Sequence, residues 1–192
     1  MTAERPSDRR VFTITATGMM AAIIFVGNYL RIPFMDTKLT VVNALCVLSG
    51  LLFGPVSGFW ACGIGSLLYD VVLGYGAESL ITFVSKGAIG LIAGLIAARA
   101  AHTERFGRKE LFLVVAASVI GAFTYVALYM LKTFIFGLTV NGLTLQGTFI
   151  KMAAKLPGSS LNALFASVAG PVLFSALRPA LTHAGLFDLS SR

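Results

Sequence analysis

Six ionisable side chains lie in or beside long apolar stretches of this sequence. On insertion scales, a charged side chain at the centre of a bilayer costs at least about 2.5–3.5 kcal/mol, so each one needs a physical reason to be there. Ammonium and carboxylate groups in such surroundings bind polar parts of a ligand, pair with each other, or reach toward the membrane interface. The six residues are Asp70, Glu78, Lys86, Lys132, Lys151 and Lys155.

Polar residues recur in these stretches at the spacing of one helix face. Residues three or four positions apart in a helix lie on the same side, so each group forms a stripe. The stripes are Ser66 and Asp70; Thr82 and Lys86; Tyr125, Tyr129 and Lys132; and Lys151, Lys155, Ser159 and Asn162. We therefore predict a common polar cavity lined by four helices, with Tyr125, Tyr129 and Phe83 as its aromatic walls.

Each of these residues also has a purely structural interpretation. A lysine near a helix end can extend its ammonium to the interface without binding anything. A structural ion pair between Asp70 and Lys86 is the alternative to ligand contact. Two further aromatic residues, Tyr75 and Trp60, can be explained as anchors at the membrane interface without any contact to a ligand.

The residues that an intramembrane enzyme would need are missing from the apolar stretches. Both histidines, His102 and His183, fall in polar segments, so no Ser/His or histidine-ligated metal site is predicted within the membrane. Cys46 and Cys62 lie inside apolar stretches, which is typical of small buried side chains. The sequence has no G-x-x-x-x-G-K-[ST] loop. We predict no enzyme activity and no cofactor, and the energy for active transport would come from another protein.

The elements that must hold these residues are membrane-spanning helices. Of the 192 residues, 57% are hydrophobic and only 12% are charged, whereas a soluble domain has about 25% charged residues. A spanning helix needs about 20 mostly apolar residues. The candidate spans are residues 11–30, 39–54, 55–75, 79–100, 111–139 and 147–178. We predict an all-α integral membrane protein, a six-transmembrane-helix bundle forming a single membrane domain over residues 1–192, with its first span retained and not removed as a signal peptide.

Basic residues in the connecting segments predict the orientation of the bundle. With six spans, nine lysines and arginines flank one side, and only Arg31 and Lys38 flank the other. The positive-inside rule then places both termini in the cytoplasm. All six ionisable residues fall in the outer half, so the predicted cavity opens outward. Nucleic-acid binding is not predicted, because the basic residues are spread over short membrane-flanking segments.

Small residues on the first span predict a contact surface. Gly18 and Ala22 are spaced as a small-xxx-small pair, with Ala21 and Thr17 adjacent. Such pairs let helices approach closely in lipid. Since the polar stripes belong mainly to the later helices, the first three spans are available to meet a partner.

Three stretches of the sequence carry a family resemblance. They are Gly18-Met-Met-Ala-Ala22; Leu48-Ser-Gly-Leu-Leu-Phe-Gly-Pro-Val-Ser-Gly58 leading into Gly65-Ser-Leu-Leu-Tyr-Asp70; and Thr82-Phe-Val-Ser-Lys-Gly-Ala-Ile-Gly-Leu-Ile-Ala-Gly94. Together with the length and the six predicted spans, they resemble the substrate-binding S components of energy-coupling factor (ECF) vitamin transporters. The resemblance covers nearly the whole chain.

This resemblance implies a mechanism. Such S components capture a vitamin at the outer face of the bacterial plasma membrane and dock through their first three helices onto a transmembrane coupling subunit that carries two ATPases. ATP hydrolysis then topples the S component and releases the vitamin inside. By position, Gly18 and Ala22 match the family's A-x-x-x-A docking motif, with Gly replacing the first Ala, and Arg31 to Lys38 would form a lid. The implied pocket residues are Asn43, Lys86, Tyr125, Tyr129, Lys155 and Asn162.

The ligand is left open by the sequence. Several lysines opposite Asp70 and Glu78 indicate an anionic or strongly hydrogen-bonding ligand, and the tyrosines indicate a ring. The candidates are pyridoxine or a thiamin-pyrimidine precursor, cobalamin, riboflavin and pantothenate. The alternative function is a stand-alone transporter or channel for a small solute.

Overall fold

Five long helices and one β-hairpin make up the described part of the chain. The computed structural model describes residues 6–76, 78–98 and 107–183. The elements are α1 (Pro6–Gly27), β1 (Arg31–Phe34), β2 (Thr37–Thr40), α2 (Val42–Val72), α3 (Glu78–Ala97), α4 (Arg108–Thr139) and α5 (Leu145–His183). All five helices are long and apolar enough to cross a membrane. The prediction of a helical membrane protein is therefore confirmed.

Helix α2 is interrupted at Gly54 and folds back on itself. Gly54 has φ +81° and ψ 179°, a conformation that only glycine adopts readily, and Pro55 follows it. Cys62 Sγ lies 3.6 Å from the carbonyl oxygen of Cys46, which is 16 residues earlier; in a straight helix those residues would be about 24 Å apart. The predicted second and third spans are thus the two arms of α2, residues 42–53 and 55–72.

Glycines allow the two arms of α2 to pack tightly on α3. A Cβ on Gly90 would lie 2.5 Å from the carbonyl oxygen of Gly58, and one on Gly94 would lie 2.6 Å from Cα of Pro55. A Cβ on Gly58 would lie 2.7 Å from Cα of Gly50. Backbone therefore touches backbone where the two arms of α2 meet α3, as in other membrane helix contacts built on small residues.

The segment between α1 and α2 is an antiparallel β-hairpin, which the sequence analysis did not predict. Its register pairs Arg31 with Thr40 and Phe34 with Thr37. The side-chain amide of Asn162 on α5 holds β2 at two points: Nδ2 donates to the carbonyl oxygen of Lys38 at 2.7 Å, and Oδ1 accepts from the backbone N–H of Thr40 at 2.9 Å. The hairpin therefore sits on α5 in a fixed position.

The observed helix boundaries differ from the predicted ones by up to five residues, with the largest shifts at the start of α1, Pro6, and at the end of α5, His183. Helix α1 ends at Gly27 and not at residue 30, and α2 begins at Val42 and not at residue 39. Hydropathy alone cannot detect a short strand pair at the end of an apolar stretch. His102, which falls in the polar segment between the predicted fourth and fifth spans, lies outside the described residues.

The successive helices run in alternating directions because of the reversal at Gly54. The hairpin, the end of α2 and the start of α3 therefore lie at one end of the bundle, with the α4–α5 connection. The beginning of α1, the Gly54 reversal and the end of α5 lie at the other. Buried apolar side chains fill the bundle between these ends, among them Ile24, Val47, Leu51, Ile89, Val114 and Phe174.

The tight contact between α2 and α3 leads to a stability prediction. We expect Gly90→Ala to lower the free energy of unfolding by about 1–3 kcal/mol, the usual cost of overpacking, because the new methyl group would collide with the backbone of Gly58. Thermal unfolding of the purified protein in detergent measures the effect. Gly18→Ala is the matched control, since a Cβ there meets nothing within 4 Å. Equal stability of the two variants would contradict this packing.

Candidate functional site

A polar cavity of about 300 Å³ opens at the hairpin end of the bundle. Side chains from the end of α1, both strands of the hairpin, α2, α3, α4 and α5 converge on it. The lining residues are Asn28, Arg31, Asp36, Thr37, Lys38, Thr40, Tyr69, Asp70, Tyr75, Glu78, Thr82, Lys86, Tyr125, Tyr129, Lys132, Lys155, Ser159 and Asn162. A space of this size is at the lower end of the range for small-molecule sites.

Most of the predicted site residues meet in this cavity. Those that line it are Asp70, Glu78, Lys86, Tyr125, Tyr129, Lys132, Lys155 and Asn162. Two predicted residues do not. Asn43 is fully buried beneath the cavity, in contact with Lys86, and Lys151 lies one helical turn before Lys155 and outside the cavity lining. Ser66, predicted on a stripe with Asp70, is also buried outside the lining.

Lys86 is the most deeply placed charged group of the cavity. Its side chain comes from α3, and the residue is 7% exposed. Nζ donates a hydrogen bond to Oδ1 of Asn43 on α2 and lies 4.3 Å from the ring centroid of Tyr125 on α4. Both neighbours are neutral, so the ammonium gains a hydrogen bond and a cation–π contact but no counter-charge from them.

Two stacked tyrosines form one wall of the cavity. The rings of Tyr125 and Tyr129, one turn apart on α4, have centroids 5.7 Å apart and an interplanar angle of 15°. Lys155 from α5 places its Nζ 5.3 Å from the ring centroid of Tyr129. The prediction that Phe83 is a third aromatic wall is wrong, because its ring packs against Phe59 and Trp60.

The ion pair at this site is not the one that the sequence suggested. Lys132 on α4 and Glu78 at the start of α3 are joined at 2.7 Å. Asp70 and Lys86 line the same cavity but form no ion pair within 4.0 Å. The structural alternative for Asp70 and Lys86 is therefore wrong, and the Asp70 carboxylate faces the cavity near Thr82.

Two cation–aromatic pairs lie at the mouth of the cavity. Arg31 lies 5.6 Å from the ring centroid of Tyr69. Lys38 Nζ donates a hydrogen bond to the Tyr75 hydroxyl at 3.1 Å, and this bond lowers the pKa of the Tyr75 phenol below its ordinary value. The predicted lid, Arg31 to Lys38, thus corresponds to the hairpin that closes one side of the mouth. Tyr75, interpreted above as an interfacial anchor, belongs to the cavity.

Sequence reasoning missed several lining residues. Asn28, Tyr69 and Thr40 lie outside the polar stripes and carry no charge. Tyr69 could have been selected from the sequence, because it directly precedes Asp70 near the end of the same apolar stretch. Asn28 and Thr40 could be found only with the hairpin in place.

A second concavity, of about 710 Å³, runs along the outside of the bundle between α1 and the second arm of α2. It is almost entirely apolar, and exposed Val56, Trp60 and Leu68 form its α2 side. On the α1 side, Gly18 and Ala22 are exposed, whereas Ala21 is only 6% exposed. The predicted small-residue face therefore borders an open groove.

Comparisons with known proteins agree with this architecture. The chain matches the family model described as "ECF-type riboflavin transporter, S component" over residues 9–179. A UPF0397 protein of Lactococcus lactis subsp. cremoris is 28% identical over 189 residues, 96% of this chain and 97% of that protein. A UPF0397 protein of Streptococcus thermophilus is 36% identical over 85 residues, 43% of this chain, and the match spans 46% of that protein's length.

A solved structure shares the fold. It is described as "Structure and mechanism of the S component of a bacterial ECF transporter", and it superposes with a TM-score of 0.63 at 17% identity, covering 88% of this chain and 96% of that one. Because the family match extends over almost the whole described bundle, this chain belongs to the ECF-type riboflavin transporter S component family.

Proposed function

We propose that this chain captures a vitamin or vitamin precursor outside the cell and delivers it inward as the binding subunit of an ECF-type importer. The observation that carries the proposal is the polar cavity at the hairpin end, which gathers charged and aromatic side chains from four helices and the hairpin inside an otherwise apolar bundle. Intramembrane ionisable residues that face a common cavity are typical of substrate pathways.

This function needs a bundle that crosses the membrane six times and has both termini in the cytoplasm. The reversal at Gly54 supports it, since each arm of α2 then crosses separately. The distribution of basic residues, nine on the terminal side against two beside the hairpin, supports the same orientation. The cavity would then face outward, where a scavenged nutrient arrives.

The volume of the cavity limits the size of the ligand. About 300 Å³ suits a compact molecule with one or two rings. Pyridoxine and a thiamin-pyrimidine precursor fit this description, pantothenate is a compact chain without a ring, and riboflavin, which the family description names, has three fused rings and is the largest of the four. Cobalamin is several times larger, and we therefore favour the smaller candidates.

The apolar groove beside α1 is the proposed docking surface for the transmembrane coupling subunit, which would carry two ATPases. Gly18 and Ala22 leave room for a partner helix to approach the α1 backbone, and Val56, Trp60 and Leu68 offer apolar contact. The sequence has no nucleotide-binding loop of its own, so an energised importer needs such a partner.

A stand-alone transporter is the alternative function. It would move its substrate across liposomes that contain this chain alone. The binding-subunit proposal instead expects the protein alone to bind ligand and to leave transport to the complete assembly.

We expect the ligand to be retained by the purified protein, and retention to depend on the tyrosine wall. Tyr129→Ala removes one of the two stacked rings and should weaken binding about tenfold, since an aromatic contact contributes about 0.5–1.5 kcal/mol beyond its buried area. Solvent extraction and mass spectrometry give the ligand bound per protein. Phe112→Ala is the control, because Phe112 on the same helix is 71% exposed. Equal retention by both variants would argue against this wall as part of the site.

The docking proposal predicts a loss of uptake without a loss of binding. Gly18→Leu should abolish most ligand uptake by cells while leaving ligand retention by the purified protein unchanged, because the added side chain fills the groove and meets nothing within 4 Å at its Cβ. Ala127→Leu, at an exposed position on α4, is the matched control. Normal uptake by the Gly18→Leu variant would contradict the docking surface.

A further inference from the structure

The five basic residues of the cavity differ in what they already contact. Lys132 is paired with Glu78, and Lys38 donates to the Tyr75 hydroxyl. Arg31 lies over Tyr69 at the mouth. Within the described ranges, Lys86 and Lys155 have no carboxylate within 4.0 Å. Arg31 and Lys38 also lack a carboxylate within this distance, but they lie at the mouth, so Lys86 and Lys155 are the two cations between the helices without a direct ion pair, and Asp70 acts on Lys86 only from beyond 4.0 Å.

The surroundings of Lys86 make this lack of a counter-charge costly. The residue is 7% exposed, and its hydrogen-bond acceptor, Asn43, is a neutral amide that is itself fully buried. Asn43 Nδ2 has no hydrogen-bond partner, and neither has the buried hydroxyl of Ser66. Burying a cation without an anion costs several kcal/mol, so a site built this way favours an incoming negative charge.

Lys155 offers a second positive charge on the same wall. Its Nζ lies over Tyr129, whereas Lys86 lies over Tyr125, and the two rings are stacked. The ammonium groups therefore come from α5 and α3 toward neighbouring rings of α4. Both residues line the one cavity, where a charged oxygen group could accept hydrogen bonds from either.

We propose that the substrate of this protein is a small organic anion whose carboxylate or phosphate group binds at Lys86 and Lys155. The proposal rests on the proposed function and narrows its substrate class. A neutral ligand, riboflavin included, would leave both ammonium groups unpaired inside a membrane-spanning bundle. The three acidic residues of the lining do not fill this role, because Glu78 pairs with Lys132, whereas Asp36 and Asp70 form no ion pair within 4.0 Å with any described residue, and five basic residues face them.

Matched pairs of compounds that differ only in the anionic group test this inference. The probes are pantothenate against pantothenol, riboflavin 5′-phosphate against riboflavin, and pyridoxal 5′-phosphate against pyridoxal, titrated by calorimetry into the purified full-length protein. We expect an anionic member to bind at least about tenfold more tightly than its neutral partner, the usual gain from a charge-assisted hydrogen bond.

Lysine variants test whether the preference for an anionic ligand comes from Lys86 and Lys155. Lys155→Met should weaken binding of the anionic compound at least about tenfold more than binding of its neutral partner. Lys151→Met is the matched control, one turn away on the same helix and outside the cavity lining. Lys86→Met should act like Lys155→Met, and the half-buried Lys155 keeps the test valid if the variant at buried Lys86 does not fold.

The outcomes separate this inference from the proposed function. A neutral compound that binds as tightly as its anionic partner would overturn the inference and leave the binding-subunit function standing. Equal effects of Lys155→Met and Lys151→Met would also overturn it. A protein that binds no probe and yields no extracted ligand would contradict both proposals.

Discussion

The burial of one ammonium group, that of Lys86, constrains the whole structure. The residue is 7% exposed inside a bundle whose outer surface is apolar, and its direct neighbours are an amide oxygen and an aromatic ring. Hydrocarbon cannot solvate this charge. The group is tolerated because α3 directs it into a polar cavity to which the other helices and the hairpin also contribute. The cavity is therefore a physical requirement of the sequence as well as the proposed ligand site.

Close backbone packing makes that enclosure possible. The reversal at Gly54 places both arms of α2 against α3, and glycines at the contact bring Gly50, Gly58 and Gly90 together. This packing sets Asn43, at the start of the first arm, beside Lys86. At the cavity end, the amide of Asn162 fixes the hairpin to α5. Small residues thus allow close packing at the Gly54 end of the bundle, and polar residues organise the hairpin end.

Much of the site could be predicted because charge in a membrane is so costly. Lys86, Lys155 and Asp70 stand out in apolar stretches, and their positions at similar depth in the predicted spans place them in one half of the bundle, where they line one cavity. The hairpin could not be predicted, since short strands have no strong periodic signal and Asn162 stabilises them from 122 residues away. The ion pairs of the cavity could not be predicted either, because the rotation of each helix about its axis decides which carboxylate comes close to which lysine. Glu78 pairs with Lys132 for this reason, and Asp70 does not pair with Lys86.

We propose that the cavity opens to the outside of the cell and binds its ligand there. Thr82→Cys places a thiol on the cavity wall, and the native Cys46 and Cys62 are fully buried. A membrane-impermeant maleimide added to intact cells should label this variant, and the extracted ligand should slow the labelling. Labelling confined to inverted vesicles, with none in intact cells, would contradict the account.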